Sequence, residues 1–362
     1  MQSRTYRILL CLILLCTLIP YSALAALRVT FFDSGDGAAL LQSDGQTMLI
    51  DAGAKDDSDK LLTYLSDFDI PNIDLLASTS IKEDSANGLD AILNKYQLGT
   101  LWLPGTGAQT PDPIFAKAQS LGAKAITPEP GDQMDVGYAK VTVIGPSGYG
   151  TVPYLMLRVE YEGQSLLFLP GADALGEGTL TDSGADLHAD VLSVGGEGIP
   201  SQSILDQVSP LWVVDVGEAK EDALSGIQES GMLVLSPAKN GIVTFTLNGK
   251  ELAAEYEASG ITIQNSVNVR KEATTKAGKA LTLSKGSVVS ILGTAAGDEG
   301  LWYHIEADGK VGYVRGDLIR EISKDEAEKQ LAEATPKPRR SNNGTNGGSS
   351  GEDVPEEEVS CH

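Results

Sequence analysis

Short apolar runs alternate with segments of helical spacing from Leu27 to Leu247, and that alternation leaves few architectures open to this chain. Leu27 to Phe32, Ala38 to Gln42, Thr47 to Asp51, Ile73 to Ser78, Thr100 to Leu103 and Lys140 to Ile144 read as strands. Between them, Lys60 to Phe68 places Leu61, Leu65 and Phe68 on one helical face, and Leu89 to Tyr96 does the same with Leu89, Ile92, Leu93 and Tyr96. The second half repeats the scheme with strands at Tyr154 to Glu160, Ser165 to Leu169, Val191 to Val194, Leu211 to Asp215, Met232 to Leu235 and Ile242 to Leu247, and short helices near Ile204 and Leu224. Apolar faces of both periods must be covered by packing helices on sheets, so the expected class is α/β.

From Gly260 the pattern changes to short strands of alternating polarity separated by Gly turns, the composition of a small β-barrel. They are Val267 to Arg270, Leu283 to Val289, Leu301 to Ile305 and Lys310 to Val314. Lys324 to Ala334 is a short charged helix candidate, and the Pro, Arg, Asn, Gly and Ser stretch beyond it has too few apolar residues to form a core. At the other end, Arg4 and Arg7, the apolar run Ile8 to Ile19 and Ala23-Leu24-Ala25 read as a secretory signal cleaved after about Ala25. The run is shorter than the ~20 residues of a membrane-spanning helix, so no stable span is expected after cleavage. The expected layout is a signal peptide at 1–25, a large α/β domain at 26–256, a barrel at 260–321 and a charged, mostly disordered tail at 322–362. Cys11 and Cys16 leave with the signal, so Cys361 has no partner for an intramolecular disulfide. An exported chain without disulfides fits a bacterium.

Charge weighs against one class of partner. The formal net charge is −23, and residues 26–259 alone carry 12 basic and 34 acidic groups, whereas Gly260 to Arg320 carry 8 and 6. Nucleic-acid binding depends on neutralising phosphates with Lys and Arg, so the large domain would repel a polyanion.

Four segments place chemistry-bearing residues in a recognisable frame. They are Phe31 to Ala38 with Leu49-Ile50-Asp51-Ala52-Gly53, then Leu75 to Leu89, Leu167 to Asp173, and Asp190 to Gly198. Together they resemble the metallo-β-lactamase superfamily, most closely its ComEC-like branch known from DNA-uptake competence proteins, over about Leu27 to Tyr256. The resemblance implies an αββα sandwich with a metal centre built from Thr-His-x-His-x-Asp-His, a bridging carboxylate in Thr-Gly-Asp, and a late His-His pair. In this chain Ser80, Lys82 and Ser85 stand where the three histidines of the first motif belong, and Asp84 keeps its aspartate. Ala172 replaces the bridging carboxylate, with Asp173 one position late, and Gly196 and Glu197 replace the His pair. The three histidines of the chain, His188, His304 and His362, all lie off the motifs. Zinc takes imidazole, thiolate or carboxylate donors at about 2.0–2.3 Å, and hydroxyl or ammonium groups do not substitute for them. No cofactor is expected; zinc would be the cofactor if the family's function were retained.

The family carboxylates Asp33 and Asp51 are kept. With Asp84 they form an all-oxygen set that would suit Mg²⁺ or Ca²⁺, although the resemblance gives the Asp51 position a ligand-orienting role and Asp33 reads as a turn holder. A Ser/Lys hydrolytic arrangement around Lys82 lacks a base and oxyanion site fixed by spacing. The Gly-rich turns Gly35-Asp36-Gly37 and Gly195 to Gly198 carry no Lys or Arg to meet a phosphate.

The order Val-Asn-Val-Arg, Lys-Gly, Trp-Tyr, Gly-Tyr-Val in the barrel resembles a bacterial SH3-like domain. Alternation along Leu301 to Ile305 puts Trp302 in its core and leaves Tyr303 as the candidate ligand contact at the surface. The expectation is therefore an exported, catalytically inactive metallo-β-lactamase-fold protein, secreted or cell-wall associated. It would act as a binding or scaffold module, with its SH3-like domain on peptidoglycan or another envelope component. Two alternatives stay open: a divergent metal-dependent hydrolase of phosphodiesterase type using Asp33, Asp84, Asp173 and Glu197, and a DNA-uptake accessory.

Overall fold

Strand β1 (Leu27–Phe32) is buried on both faces, and its two phenylalanines show what covers each. Phe31 points between two sheets, stacked on Phe168 at 5.8 Å and edge-on to Phe245 at 5.9 Å. Phe32 turns the opposite way onto a helix, against Tyr64 at 5.3 Å and Phe68 at 5.6 Å. A strand apolar on both sides needs a layer on each, and the large domain has four layers, helix, sheet, sheet, helix.

The computed structural model describes residues 26–35, 37–80, 83–105, 113–146, 154–170, 177–178, 180–181, 184–195, 199–217, 224, 226–228 and 230–334. The expected signal peptide and most of the expected tail, with Cys361, lie outside the described residues.

In the first sheet, β1, β2 (Ala38–Ser43) and β3 (Gln46–Ile50) run as an antiparallel meander. The sheet then continues in parallel through β4 (Ile73–Ala77), β5 (Leu98–Trp102) and β6 (Lys124–Ile126). Helices Ser58–Asp67, Glu83–Lys95 and Pro113–Ser120 cover its outer face, burying Leu61, Leu65, Ile92, Leu93 and Ile114 against Leu40, Leu49, Leu76 and Leu101. The second sheet has seven strands: β7 (Gln133–Val136), β8 (Ala139–Pro146), β9 (Leu155–Tyr161), β10 (Gln164–Pro170), β11 (Val191–Gly195), β12 (Trp212–Asp215) and β13 (Leu233–Leu235). Helix Gln202–Val208 packs on its outer face through Ile204, Leu205 and Val208.

The chain returns to the first sheet as β14 (Val243–Leu247), which pairs with β1, and β15 (Leu252–Thr262), which pairs with β14. β15 does not stop at the edge of the sandwich. Its first half pairs with β14, and from Ala253 to Ile261 it pairs with β18 (Val288–Gly297). Its last four residues, Ser259 to Thr262, also pair with β21 (Ile319–Ile322). The barrel is completed by β16 (Val267–Arg270), β17 (Lys279–Leu283), β19 (Gly300–Ala307) and β20 (Lys310–Arg315). The boundary expected at 256–260 therefore falls inside a strand, and sandwich and barrel share one 14-stranded sheet.

The bend that this sharing requires is built from irregularities in register, between Glu255 and Ala258 of β15 and between Ile291 and Gly293 of β18. Gly293 has φ 151°, and a Cβ there would lie 2.1 Å from the carbonyl oxygen of Ala254, so only glycine lets the two strands cross this closely. Behind the bend, Trp212 of β12 donates from Nε1 to Oγ1 of Thr294 at 2.9 Å, with both side chains buried.

Apart from one segment, the strands expected from the sequence form within two residues of their expected ends. Leu283 to Val289 instead contains the turn between β17 and β18. Strands β6, β7, β15 and β21 and helix Pro113–Ser120 were not expected. Helix Lys324–Ala334 forms over its expected span. Among the described residues no helix is long and apolar enough to cross a membrane.

Candidate functional site

The motif segments meet where β1, β3, β4 and β12 end, at the carboxyl edge of the parallel strands, a common place for a site in an α/β sheet. A small cavity of ≈ 220 Å³ opens there, lined by Phe32, Asp33, Gly35, Asp57, Asp215 and Val216 among others.

Asp51, the last residue before the turn after β3, adopts φ 58°, a left-handed conformation that Asp tolerates better than most residues. Its two carboxylate oxygens accept from Thr79, Oδ1 from the backbone N–H and Oδ2 from the hydroxyl, each at 2.6 Å. Charge-assisted bonds of this kind contribute about 1.5–3 kcal/mol each, so Asp51 is a staple between the ends of β3 and β4. Asp33 accepts from Nζ of Lys60 at 2.5 Å, on the helix that follows. That bond raises the ammonium above its ordinary pKa. Both side chains are more than a third exposed, so the pair adds little stability.

The third motif turns inward. Ser78 and Thr79 are buried, and Ser78 donates its hydroxyl to the carbonyl of Ser80 at 2.5 Å. Thr79 accepts at its carbonyl from the N–H of Leu155 at 2.8 Å, and Ser80 forms an antiparallel bridge with Tyr154. The stretch aligned with metal ligands is thus sewn to the start of β9 in the second sheet. The next helix presses on the same corner: a Cβ at Gly88 would lie 2.5 Å from the carbonyl oxygens of both Ala52 and Gly53. Asp84 and Ser85 belong to the first turns of this helix, but their side chains, and Lys82, Ala172, Asp173, Gly196 and Glu197 altogether, lie outside the described residues.

The donor set that is described does not fit a zinc ion. Asp51 is engaged with Thr79, Asp33 with Lys60, and the Ser78 hydroxyl with the carbonyl of Ser80. His188 is exposed at the opposite end of β11, and His304 stacks on Tyr313 in the barrel at 4.7 Å. Among the described residues no group of three or more His, Cys, Asp and Glu side chains is placed to hold a metal.

In the barrel, Trp302 is buried as expected, at 1 % exposure, and lines a cavity of ≈ 270 Å³ together with Gln264, Asn268 and Arg270. Tyr303, expected at the surface, is 6 % exposed and joins the core. Its hydroxyl, like that of Tyr256, bonds Glu321 of β21, and burial beside that carboxylate drives both phenols far above their ordinary pKa. Sequence alternation placed Trp302 and Tyr303 on opposite faces correctly but could not show that the loop before β16 and the sandwich cover both.

Residues 265–320 match the bacterial SH3 domain family, which takes in β16 to β20 and the start of β21. Structural neighbours of the chain include the metallo-β-lactamase fold protein YhfI from Bacillus subtilis, at 12 % identity and TM-score 0.45, covering 60 % of this chain and 99 % of that one. A second is CmlA, a diiron beta-hydroxylase from Streptomyces venezuelae, at 14 % identity and TM-score 0.43, covering 61 % and 54 %. A third is a metallo-β-lactamase with the HARLDQ motif from Cronobacter sakazakii, at 17 % identity and TM-score 0.36, covering 46 % and 74 %. The chain spans about half the length of the hydroxylase. No curated protein matches it.

Proposed function

We propose that this is an exported bacterial protein whose sandwich is a catalytically inactive metallo-β-lactamase-like domain of the ComEC-like type, serving as a binding or scaffold body. In this reading the SH3 domain holds it at the cell envelope, on peptidoglycan or another wall component. One observation supports the loss of catalysis: Ser80, Lys82 and Ser85 stand where the first motif of the family has its three histidines, and the kept Asp51 holds the same segment through Thr79. The acidic sandwich supports a role away from nucleic acid, and the near-neutral balance of the barrel leaves that domain free to approach a polyanionic wall.

The test has two arms. Elemental analysis of purified protein is expected to find less than about 0.1 equivalent of divalent metal, after incubation with zinc as well as before. Stoichiometric metal together with phosphodiesterase activity lost in Asp84→Ala would establish the hydrolase instead. For the envelope role, the full chain should sediment with isolated peptidoglycan, and Gln264→Ala with Asn268→Ala, on the wall of the barrel cavity, should release it. Absence of sedimentation by the unmodified chain overturns that part. Removing the barrel by a cut at Ser259 is unsuitable because the cut divides β15.

A further inference from the structure

A cleft of ≈ 850 Å³ lies where the barrel meets the outer edge of the second sheet. One wall is β13, which among the described strands pairs with β12 alone and lines the cleft with Leu233 and Val234. The opposite wall is the barrel, contributing Leu301, Ile319 and the 40 % exposed Ile263. Clefts of this size between domains, apolar with a few convergent polar groups, are the usual form of a small-ligand site.

The polar group on the floor is Glu321. It accepts from the hydroxyl of Tyr256 at 2.9 Å and also from that of Tyr303, and burial raises its carboxyl above the usual range. Among the described residues it has no ion-pair partner. The two cations lining the same cleft are closed off elsewhere: Arg315 is clamped by Glu299 at 2.7 Å and Asp317 at 2.5 Å, and Arg320 by Glu326 at 2.7 Å. Both guanidinium groups are thus paired with carboxylates of their own chain, whereas a cation would find in Glu321 an uncompensated carboxylate framed by two tyrosines, with an apolar path towards it.

We propose that this cleft binds an aliphatic primary amine of the lysine type, its ammonium on Glu321 and its methylene chain along Leu301, Ile319 and Ile263. The site is separate from the strand-end cavity, and although it shares Arg315 with the barrel cavity lined by Trp302, none of Glu321, Leu301, Ile319 and Ile263 lines that cavity, so it does not rest on the envelope reading and survives a failure of the sedimentation test.

The probe is Nα-acetyl-lysine methylamide, titrated into the full-length protein and followed by ligand-observed NMR. Saturable binding is expected, weakened at least about ten-fold when the ε-amine is acetylated, because the charge is removed while the chain length is kept. Glu321→Gln, which keeps an acceptor for the tyrosines, should weaken the amine by a similar factor and leave the acetylated analogue unchanged. No saturable binding, or equal binding of amine and acetylated analogue to the unmodified protein, overturns the proposal without reference to any variant. Retention of the preference in Glu321→Gln overturns the assignment of Glu321.

Discussion

Replacing Thr294 by Val tests whether sandwich and barrel are one cooperative body. Valine keeps the shape of threonine but removes the acceptor of the Trp212 indole, and both residues are at most 1 % exposed, so water does not replace it. A buried donor left without a partner costs about 1–3 kcal/mol. With an unfolding entropy of about 2.1 cal/mol/K per residue, a ~2 kcal/mol loss in a body of roughly 300 residues lowers the melting temperature by ~3 °C. Urea unfolding followed by tryptophan fluorescence and by far-ultraviolet circular dichroism should give coincident curves for both proteins, with the midpoint of Thr294→Val lowered and the slope unchanged. In a Trp212→Phe background, where the donor is already gone, Thr294→Val should cost less by ~1 kcal/mol or more. Two separate transitions in the unmodified chain, or a change within ±0.5 kcal/mol, would refute the shared-body reasoning.

Thr79→Val removes the hydroxyl bond to Asp51 while leaving the backbone bond, and is expected to lower stability by about 1.5–3 kcal/mol in the same urea assay. Gly88→Ala would ordinarily gain up to ~1 kcal/mol of helix propensity; here the added methyl meets two carbonyl oxygens at 2.5 Å, so a net loss of ~1–2 kcal/mol is expected by thermal melting. His304 has its pKa lowered from 6.5, chiefly by burial, so below that value the unfolded chain binds the extra proton more readily than the folded one. Stability should therefore fall as pH drops through the window below 6.5, and His304→Gln should flatten the urea midpoint between pH 7.5 and 5.5.

Much of the sandwich was legible because its strands are buried on both faces, so that segments such as Leu27 to Phe32 and Leu155 to Tyr161 are apolar almost throughout. Strand β7, Gln133-Met134-Asp135-Val136, gave no such signal, since three of its four residues are not buried. β15 was hidden differently: Ala253 to Gly260 is mostly small and acidic residues and ends in glycine, which reads as a domain boundary, whereas Gly293 of β18 lets that strand cross closely over Ala254 and carry the sheet on. At the site, missing histidines could be counted from the sequence, but the use of Asp51 as a staple could not, because its partner lies 28 residues away and is set by the pairing of β3 with β4. Glu321 gave no signal in sequence either, since its neighbours Tyr256 and Tyr303 converge only once the barrel is closed on β15.

The strand common to both halves also sets how tension would travel through the molecule. A pull on the barrel enters the sandwich along β15, whose first residues, Leu252 to Glu255, are laddered to β14 while its last, Ser259 to Thr262, are laddered to β21, so the β14 ladder is loaded along its length and not opened one bond at a time. The same joint holds the strand-end cavity at a fixed offset from the barrel.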